Sequence, residues 1–361
     1  MGVLEGIRVV DLTNLLPGPF ATNIFAELGA EVIKVERPDG GDPSRQMVPG
    51  LYEMLNSRKK SLTLDLKDES DKSTLRKLLR ESDVLIEGFR PGVMDRLGFG
   101  KDEVAKLNSE LIYCSISGYG QSGPYRDAPG HDLNYLAVSG ILGISGLPNG
   151  GPEAAGGIQI ADLAASLYAT ISVLGALLNK ARTRSNGVYI DVSLVESALA
   201  LMSPRIAEYY ARNEPAKSDF MGRGAYGAYL TKDGQYISIA CVEEKFWETF
   251  CETVGMKEFL LDNLFNSWTK RMENAEIINR KIEAIIIRKT LSEWLSIFGE
   301  VDLPVSRVNM INDLSKDPHL KHRNAIIEEG DCLRVPFPVK MHRMEAFSQI
   351  GHLENTERKG D

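Results

Sequence analysis

Short runs of β-branched residues alternate with longer helical patterns through the first third of the chain. The runs predict strands at residues 7–12, 31–36, 61–66, 84–89 and 112–117, with helices between them, for example at residues 19–28. A further strand is predicted at residues 187–192, followed by a helix over residues 195–210. This alternation is typical of a parallel sheet covered by helices. The predicted fold class is therefore α/β, with a Rossmann-like large domain.

The residues that follow the predicted strands indicate a ligand site. Sheets of this kind bind ligands at the carboxyl ends of their strands, and Arg37, Lys67 and Arg90 stand there, together with the Gly118-Tyr119-Gly120 turn. The first strand-to-helix turn contains Pro17-Gly18-Pro19 and has no G-x-G-x-x-G pattern, which argues against a nicotinamide or flavin dinucleotide.

The length of 361 residues exceeds what one hydrophobic core usually supports, so two domains are expected. The large domain is predicted over residues 1–212 and a linker over residues 213–225. A smaller α+β domain is predicted over residues 226–320, beginning with a hairpin turned at Asp233-Gly234. Residues 321–361, with a strand at 333–341, are predicted to return to the large domain.

Charge and composition narrow the classes of partner. A net charge of −8 gives no general attraction to nucleic acid or to an anionic membrane, and neither is predicted as a partner. The longest uncharged run, residues 163–179, is shorter than the ~20 residues that span a bilayer, which favours a buried helix.

The four cysteines are scattered, without the spacing of a zinc site or a disulfide framework. With no signal-peptide pattern at the N-terminus, a cytoplasmic location is expected.

Several sequence blocks resemble, in the same order, those of the CaiB/BaiF family, the class III CoA-transferases. The blocks are residues 6–12 (GIRVVDL), 29–38 (GAEVIKVERP), 56–67 (NSRKKSLTLDLK), 83–98 (DVLIEGFRPGVMDRLG), 118–125 (GYGQSGPY) and 304–318. The resemblance implies that the substrates are acyl-CoA thioesters, with coenzyme A as part of the substrate and no tightly bound cofactor or metal. It also implies that two chains thread through each other as an interlocked homodimer.

The family positions that hold coenzyme A have counterparts here. The 3′-phosphate and diphosphate of the coenzyme require arginine or lysine side chains near backbone N–H groups. The matching residues are Arg37, Leu66, Lys67, Gly88, Phe89, Arg90, Arg96, Gly130, Asp132, Asn134 and Tyr135. Arg58, Lys59 and Lys60 form a further basic cluster. For each basic residue the alternative is a solvated surface charge.

Two residues are the candidates for the chemistry. His131, in the block GHDLNYLA, resembles the acid/base histidine of the 2-methylacyl-CoA racemases, although a lone histidine is more often structural. Asp162 matches the catalytic aspartate that racemases and transferases share. The alternative for Asp162 is an N-cap, because aspartate is favoured there. Burial and the helix dipole act on its pKa in opposite directions, and the sequence leaves the net direction open.

Glu243 matches the glutamate that racemases place beside the histidine, where a carboxylate orients the imidazole and raises its proton affinity. Glu244 takes this role if the alignment is shifted by one position. The alternative for either residue is a solvated carboxylate at a helix start.

We predict from these residues a racemase that inverts the α-carbon of 2-methylacyl-CoA thioesters. His131 and Asp162 exchange the α-proton on opposite faces of an enolate, whose oxygen accepts hydrogen bonds from backbone N–H groups near Asp132 or the start of the Asp162 helix. The alternative is a CoA-transferase in which Asp162 attacks the thioester and forms an anhydride and then a bound CoA thioester. The GGGGQ loop of formyl-CoA transferases is absent, the nearest segment being residues 221–226. An inactive acyl-CoA-binding subunit is a third possibility with little support.

Overall fold

Six parallel strands form the central sheet of the computed structural model, which describes residues 2–48, 50–154, 157–329 and 332–341. Their spatial order is β3-β2-β1-β4-β5-β6. The strands are β1 (Arg8–Leu12), β2 (Glu31–Glu36), β3 (Lys60–Thr63), β4 (Val84–Glu87), β5 (Ile112–Ser117) and β6 (Tyr189–Ser193). This is the doubly wound order of a Rossmann-like sheet, in which the strand order reverses between β1 and β4. The predicted α/β fold class is confirmed for this part of the chain.

Alternation of side chains along the strands builds two hydrophobic layers, one on each face of the sheet. Val9 packs in one layer and Val10 in the other, and both side chains are fully buried. On β4, Val84 and Ile86 face the layer of Val9, whereas Leu85 faces the layer of Val10. Continuous burial explains why these strands are runs of apolar residues without polar alternation.

Helices cover both faces of the sheet. Those of the first 221 residues are α1 (Pro17–Glu27), α2 (Ser44–Met47), α3 (Leu51–Asn56), α4 (Glu69–Arg80), α5 (Val93–Leu97), α6 (Lys101–Leu107), α7 (Asp132–Val138), α8 (Ile141–Ile144), α9 (Ile160–Thr183), α10 (Leu194–Leu201), α11 (Ser203–Ala211) and α12 (Lys217–Met221). The single helix predicted at residues 195–210 is wrong, because the chain forms α10 and α11 with a break at Met202. Pro204 lacks an N–H and fits only the first turn of a new helix.

The helix predicted to be buried, α9, is only partly so. Its small residues Ala165 and Ala169 lie against the sheet, whereas Leu167 and Ile171 are exposed. By length and composition α9 is also the one helix of the described chain that could cross a membrane, and 39% of its most apolar stretch is buried. Core helices of soluble proteins pass the same test, so this finding is weak evidence for a membrane span.

A second core gathers residues between Ala225 and Val305. The predicted hairpin forms as expected, with β7 (Tyr226–Leu230) antiparallel to β8 (Tyr236–Ala240), and β9 (Val305–Arg307) adds a third strand. The helices that pack on this small sheet are α13 (Glu244–Val254), α14 (Glu258–Leu261), α15 (Trp268–Glu273), α16 (Ala275–Ile286) and α17 (Leu291–Phe298).

The chain then passes through a 3₁₀ helix (Ile311–Lys316), α18 (Pro318–His322) and a short hairpin of β10 (Ile327–Glu329) and β11 (Cys332–Arg334). The strand predicted at residues 333–341 is wrong beyond Arg334, since residues 335–341 carry no strand. Arg334 donates to Glu27 of α1 at 2.8 Å and so connects this hairpin to the large sheet's first helix. The predicted domain limits stay predictions, and residues 342–361 lie outside the described part of the chain.

Candidate functional site

A cavity of about 320 Å³ opens at the carboxyl ends of β1, β4 and β5. This is the place where the strand order reverses, and ligands of doubly wound sheets bind there. The lining includes Gly118 and Tyr119 of the predicted turn and seven of the predicted catalytic and coenzyme-binding residues: Gly88, Phe89, Arg90, Gly130, His131, Tyr135 and Asp162. The structure therefore brings His131 and Asp162, which are 31 positions apart in the chain, to one cavity.

The loop after β1 forms one wall of the cavity, and its backbone is held tightly. A Cβ atom on Gly18 would lie 2.1 Å from Cβ of Thr13, so only glycine allows this close approach. Leu15 has a φ of 63°, and its N–H donates to Asp42 Oδ1 at 3.1 Å. Leu15 and Pro17 line the cavity as a result.

The opposite wall is the loop that carries His131, and Tyr135 anchors it. The Tyr135 hydroxyl donates to the carbonyl of Gly130 at 2.7 Å, and its ring passes so close to Gly130 and Gly118 that a Cβ on either would lie 2.7 Å from a ring atom. Tyr119 stacks edge-on against Tyr135 with ring centroids 5.3 Å apart. The glycines of the GYG and GHD blocks thus leave room for one aromatic ring that fixes the loop.

His131 occupies the N-cap position of α7 and is exposed. Its backbone N–H donates to Asn134 Oδ1 at 3.0 Å, and its carbonyl accepts from the N–H of Asn134 at 2.8 Å. Asn134, predicted to contact coenzyme A, therefore positions the histidine backbone and does not line the cavity.

Asp162 lies inside α9, three residues after the N-cap residue Gln159. The N-cap alternative for Asp162 is therefore wrong, because the capping carboxylate comes from another helix. Asp132 Oδ1 accepts from the N–H groups of Ala161 at 2.7 Å and of Asp162 at 3.3 Å. These two amides are consequently not available as donors to a substrate oxygen, which corrects half of the predicted oxyanion site.

The carboxylate of Asp162 faces the cavity and receives no hydrogen bond from any residue in the described ranges. Burial raises its pKa to about 7, and the nearby charge of Asp132 adds to the rise. Burial also raises the pKa of Asp132. The sequence left open the direction in which the pKa of Asp162 is shifted. The shift is upward, because desolvation and the like charge of Asp132 outweigh the helix dipole.

The predicted basic cluster does not face the cavity. Lys59 is buried, and its Nζ lies 3.1 Å from Oδ2 of Asp11, with further bonds to Thr22 and Asn56. Burial lowers the pKa of Lys59 to about 8, and the charge of Asp11 opposes this shift. The expectation of a coenzyme site is wrong for this residue, because its ammonium group is buried and already bonded to Asp11, Thr22, Asn56 and the carbonyl of Pro19.

The two neighbours of Lys59 are also paired. Arg58 lies 2.9 Å from Glu27, and Lys60 lies 2.5 Å from Glu31. A second buried pair, Lys34 with Asp42 at 3.0 Å, adjoins the Lys59 pair. The Lys34–Asp42 pair holds the turn after β1, because Lys34 Nζ donates to the carbonyl of Thr13 at 2.9 Å and Asp42 accepts from the N–H of Leu15.

Four other predicted coenzyme residues do not line the cavity, namely Arg37, Leu66, Lys67 and Arg96. Arg37 follows β2, Leu66 and Lys67 follow β3, and Arg96 lies in α5. The strand order places all four at the same edge of the sheet as the cavity. Their contact with coenzyme A stays a prediction.

Glu243 does not line the cavity of His131 within one chain. It is the exposed N-cap residue of α13 and is absent from the lining of the cavity. Glu244 is engaged elsewhere, because its carboxylate lies 2.5 Å from the buried guanidinium of Arg271. The pairing with the histidine is therefore not seen in the single chain.

Arg126 at the site, and Glu87 in a neighbouring polar cavity, were not predicted from the sequence. Arg126 lines the cavity between the GYG and GHD blocks, and its place in the loop after β5 was the available signal. Glu87, the last residue of β4, is buried and accepts from the N–H of Phe89 at 2.8 Å. Burial raises the pKa of Glu87 to about 7.

Comparisons with known proteins identify the family of the chain. The sequence pattern of CoA-transferase family III matches residues 4–350. The chain is 33% identical to the acetyl-CoA:oxalate CoA-transferase of Acetobacter aceti, over 94% of this chain and 89% of that protein. It is 34% identical to the alpha-methylacyl-CoA racemase of Homo sapiens, over 94% and 87%. A crystal structure of a CaiB/BaiF family protein from Brucella suis superposes with a TM-score of 0.84 at 28% identity, covering 94% of this chain and 93% of that one.

Proposed function

The chain belongs to CoA-transferase family III, and on this premise we propose that it moves coenzyme A between carboxylic acids, with Asp162 as the nucleophile. The observation that carries the proposal is the Asp162 carboxylate, which faces a cavity at the ligand-binding edge of the sheet and accepts no hydrogen bond from the residues that the structure describes. A carboxylate without donors is a stronger nucleophile than one that is fully hydrogen-bonded. Relatives that bear the name of CoA-transferases support the same activity.

Transfer proceeds through two acyl exchanges at Asp162. A carboxylate oxygen attacks the thioester carbonyl, the C–S bond breaks, and coenzyme A leaves as the thiolate, so that a mixed anhydride forms. The thiolate then attacks the aspartyl carbonyl, which releases the donor acid and leaves a CoA thioester on Asp162. An acceptor carboxylate repeats the two steps in reverse and leaves with coenzyme A.

Each tetrahedral intermediate carries a negative oxygen that needs donors. The amides at the start of α9 are occupied by Asp132. The amides near Asp132 at the start of α7 are the other predicted donors, and this role stays a prediction, since neither Asp132 nor Leu133 lines the cavity.

A second candidate, racemisation of 2-methylacyl-CoA, is favoured by one observation. His131 and Asp162 line the same cavity, as acid/base groups on the two sides of an α-carbon must. The racemase from Homo sapiens is as similar in sequence as the transferases are. In this scheme one side chain removes the α-proton and the other returns a proton to the opposite face.

Incubation with a single-enantiomer 2-methylacyl-CoA in deuterated water distinguishes the two activities. A transferase moves coenzyme A to an added acid and leaves the α-hydrogen in place. A racemase takes up α-deuterium without any acid. Intact-mass measurement after addition of acyl-CoA alone adds a second readout, because an adduct is expected in the native protein and not in Asp162→Ala. Deuterium uptake without transfer would exclude the transferase proposal, and His131→Ala would then abolish that uptake.

A further inference from the structure

The loop after β1 holds a strained residue at the catalytic cavity. Leu15 has a φ of 63°, in the left-handed region. A side chain in this conformation brings its Cβ close to the following carbonyl oxygen, so glycine alone adopts it at little cost. Other non-glycine residues of the described chain with a positive φ do not line this cavity, namely Arg184, Asn213, Glu214, Ala225 and Asn324. Such strain persists only where the surrounding structure holds it, often at functional sites.

Asp42, in the loop after β2, holds Leu15 in this conformation. Its Oδ1 accepts from the N–H of Leu15 at 3.1 Å. The same oxygen accepts from the N–H and the hydroxyl of Ser44, at 2.9 and 2.8 Å. The N–H of Asp42 donates to Glu36 Oε1 at 2.9 Å, which connects this loop to the last residue of β2. The acceptor of the Leu15 N–H is therefore fixed by bonds that do not involve Leu15.

Lys34 makes a second contact with the loop after β1. Its Nζ lies 3.0 Å from Oδ2 of Asp42 and donates to the carbonyl of Thr13 at 2.9 Å. The Lys34 side chain is 1% exposed and that of Asp42 is 0% exposed. A buried ion pair often stabilises a fold no more than apolar side chains of similar volume do. Stability therefore does not explain the pair, whereas its bonds to the backbone of Thr13 and Leu15 do.

We propose that Asp42 and Lys34 are positioning residues, which hold the loop after β1 against the thioester that reacts at Asp162. Asn14 and Leu15 line the cavity of Asp162, whereas Asp42 and Lys34 do not, so the pair acts through the loop. A displacement of about 1 Å in a group that positions the substrate can lower a rate about 100-fold. This inference rests on the proposed reaction at Asp162 and adds the residues that orient its substrate.

Two doubly substituted proteins differ only in the acceptor that they offer to Leu15. Lys34→Met/Asp42→Asn retains an oxygen for the Leu15 N–H, and Lys34→Met/Asp42→Leu has none. Both remove the two buried charges together, which a fold tolerates better than the loss of one. The maximal rate at which succinyl-CoA forms the adduct at Asp162, followed by intact mass, should be about 10- to 100-fold lower in the leucine variant. The half-saturating concentration of succinyl-CoA should be nearly equal in the two proteins, because the loop orients substrate that is already bound.

A third substitution separates positioning from stability. Leu15→Gly, added to the leucine variant, should recover part of the lost rate, because glycine adopts a positive φ without an anchor. The same change in the asparagine variant should bring no gain. A loss of rate that comes from a weakened fold would accompany earlier unfolding in denaturant and would not be repaired by glycine. Equal rates in the two double variants, or no recovery on adding Leu15→Gly, would overturn the proposal.

A crystal structure of the native protein with bound succinyl-CoA gives a readout that needs no variant to fold. Leu15 should keep its positive φ and its bond to Asp42, and the loop should contact the thioester within about 4 Å. A negative φ at Leu15, or a loop away from the thioester, would contradict the positioning role. Failure of the proposed transfer would appear instead as a native protein that forms no adduct. The variants are then compared by α-deuterium uptake into 2-methylacyl-CoA, which would take place in the same cavity.

Discussion

Asp162 combines two features that a nucleophilic carboxylate needs, which are access to the substrate and a raised pKa. Burial and the charge of Asp132 hold its pKa at about 7. Because the ionised form attacks the thioester, we expect the rate of CoA transfer to rise with pH through about 7. A pH profile of kcat/KM for native protein measures this limb directly. A profile that is flat between pH 5 and 8 would contradict the assignment.

The same raised pKa has a cost in stability. The unfolded carboxyl titrates near pH 4, so between about pH 4 and 7 the folded state retains a proton that the unfolded state loses. Stability contributed at Asp162 therefore falls as pH rises through this window. Asp162→Asn, which is neutral at every pH, should unfold at higher denaturant concentration than the native protein, with an advantage larger at pH 8 than at pH 5 by on the order of 2 kcal/mol. Urea titrations at the two pH values test this, and an advantage that shrinks at pH 8 would refute it.

Lys59 and Lys60 are adjacent in sequence and differ in environment. The Lys59 side chain is 1% exposed against Asp11, whereas that of Lys60 is 74% exposed against Glu31. Lys59→Met leaves a buried carboxylate without its cation and should destabilise the fold by about 3–5 kcal/mol. The matched change Lys60→Met should cost about 0–1 kcal/mol. Equal losses in denaturant unfolding would mean that the Asp11 pair contributes no more than a surface contact.

Helices α7 and α9 are coupled through one side chain. Asp132, in the first turn of α7, accepts the N–H groups at the start of α9 and also raises the pKa of Asp162. The cap and the electrostatic effect therefore come from the same carboxylate, which lies 30 residues before Asp162 in the chain, with α8 between the two helices.

Two substitutions separate these roles. Asp132→Asn keeps an acceptor oxygen and removes the charge, so the pH midpoint of the transfer reaction should fall while thermal stability stays nearly unchanged. Asp132→Ala removes both and should also lower stability by about 0.5–2 kcal/mol. The pH profiles and melting curves of both variants are the measurements. An unmoved midpoint in Asp132→Asn would show that burial alone sets the pKa of Asp162.

The exposed face of α9 concerns the assembly of the protein. Ile171 is 63% exposed, and Leu167 and Leu178 are exposed on the same helix. A group of exposed apolar side chains favours contact with another protein surface. We expect this face to form part of the interface of the predicted homodimer. In such a dimer we also expect Glu243 of the partner subunit to approach His131.

Light scattering of variants tests this expectation. Ile171→Glu should shift the protein from dimer toward monomer. Leu261→Glu, a matched change at an 89% exposed leucine of α14, should leave the mass unchanged. A dimer that survives Ile171→Glu intact, or a native protein that is monomeric, would place the interface elsewhere or remove it.

Much of the molecule followed from local sequence. The strands of the central sheet, the hairpin at Asp233-Gly234 and the family blocks are each encoded by patterns no longer than about 16 residues. The helix break before Pro204 was also encoded locally and was missed. His131 and Asp162 were predicted from the resemblance to a family. The cavity that both residues line forms only when their two segments meet in the folded chain, so neither segment alone predicts it.

Residue types and their periodicity specified the α/β class, the strand ends and the identities of the candidate side chains, because backbone propensities and turn chemistry act over short distances. Burial, charge pairing and exposure depended on segments that meet only after folding. That is why Lys59 became a core cation, Asp132 a cap for another helix, and Asp42 an anchor for Leu15. The electrostatic environment of a side chain depends on the charges that are close to it in space, and the separation of residues along the chain does not predict those distances.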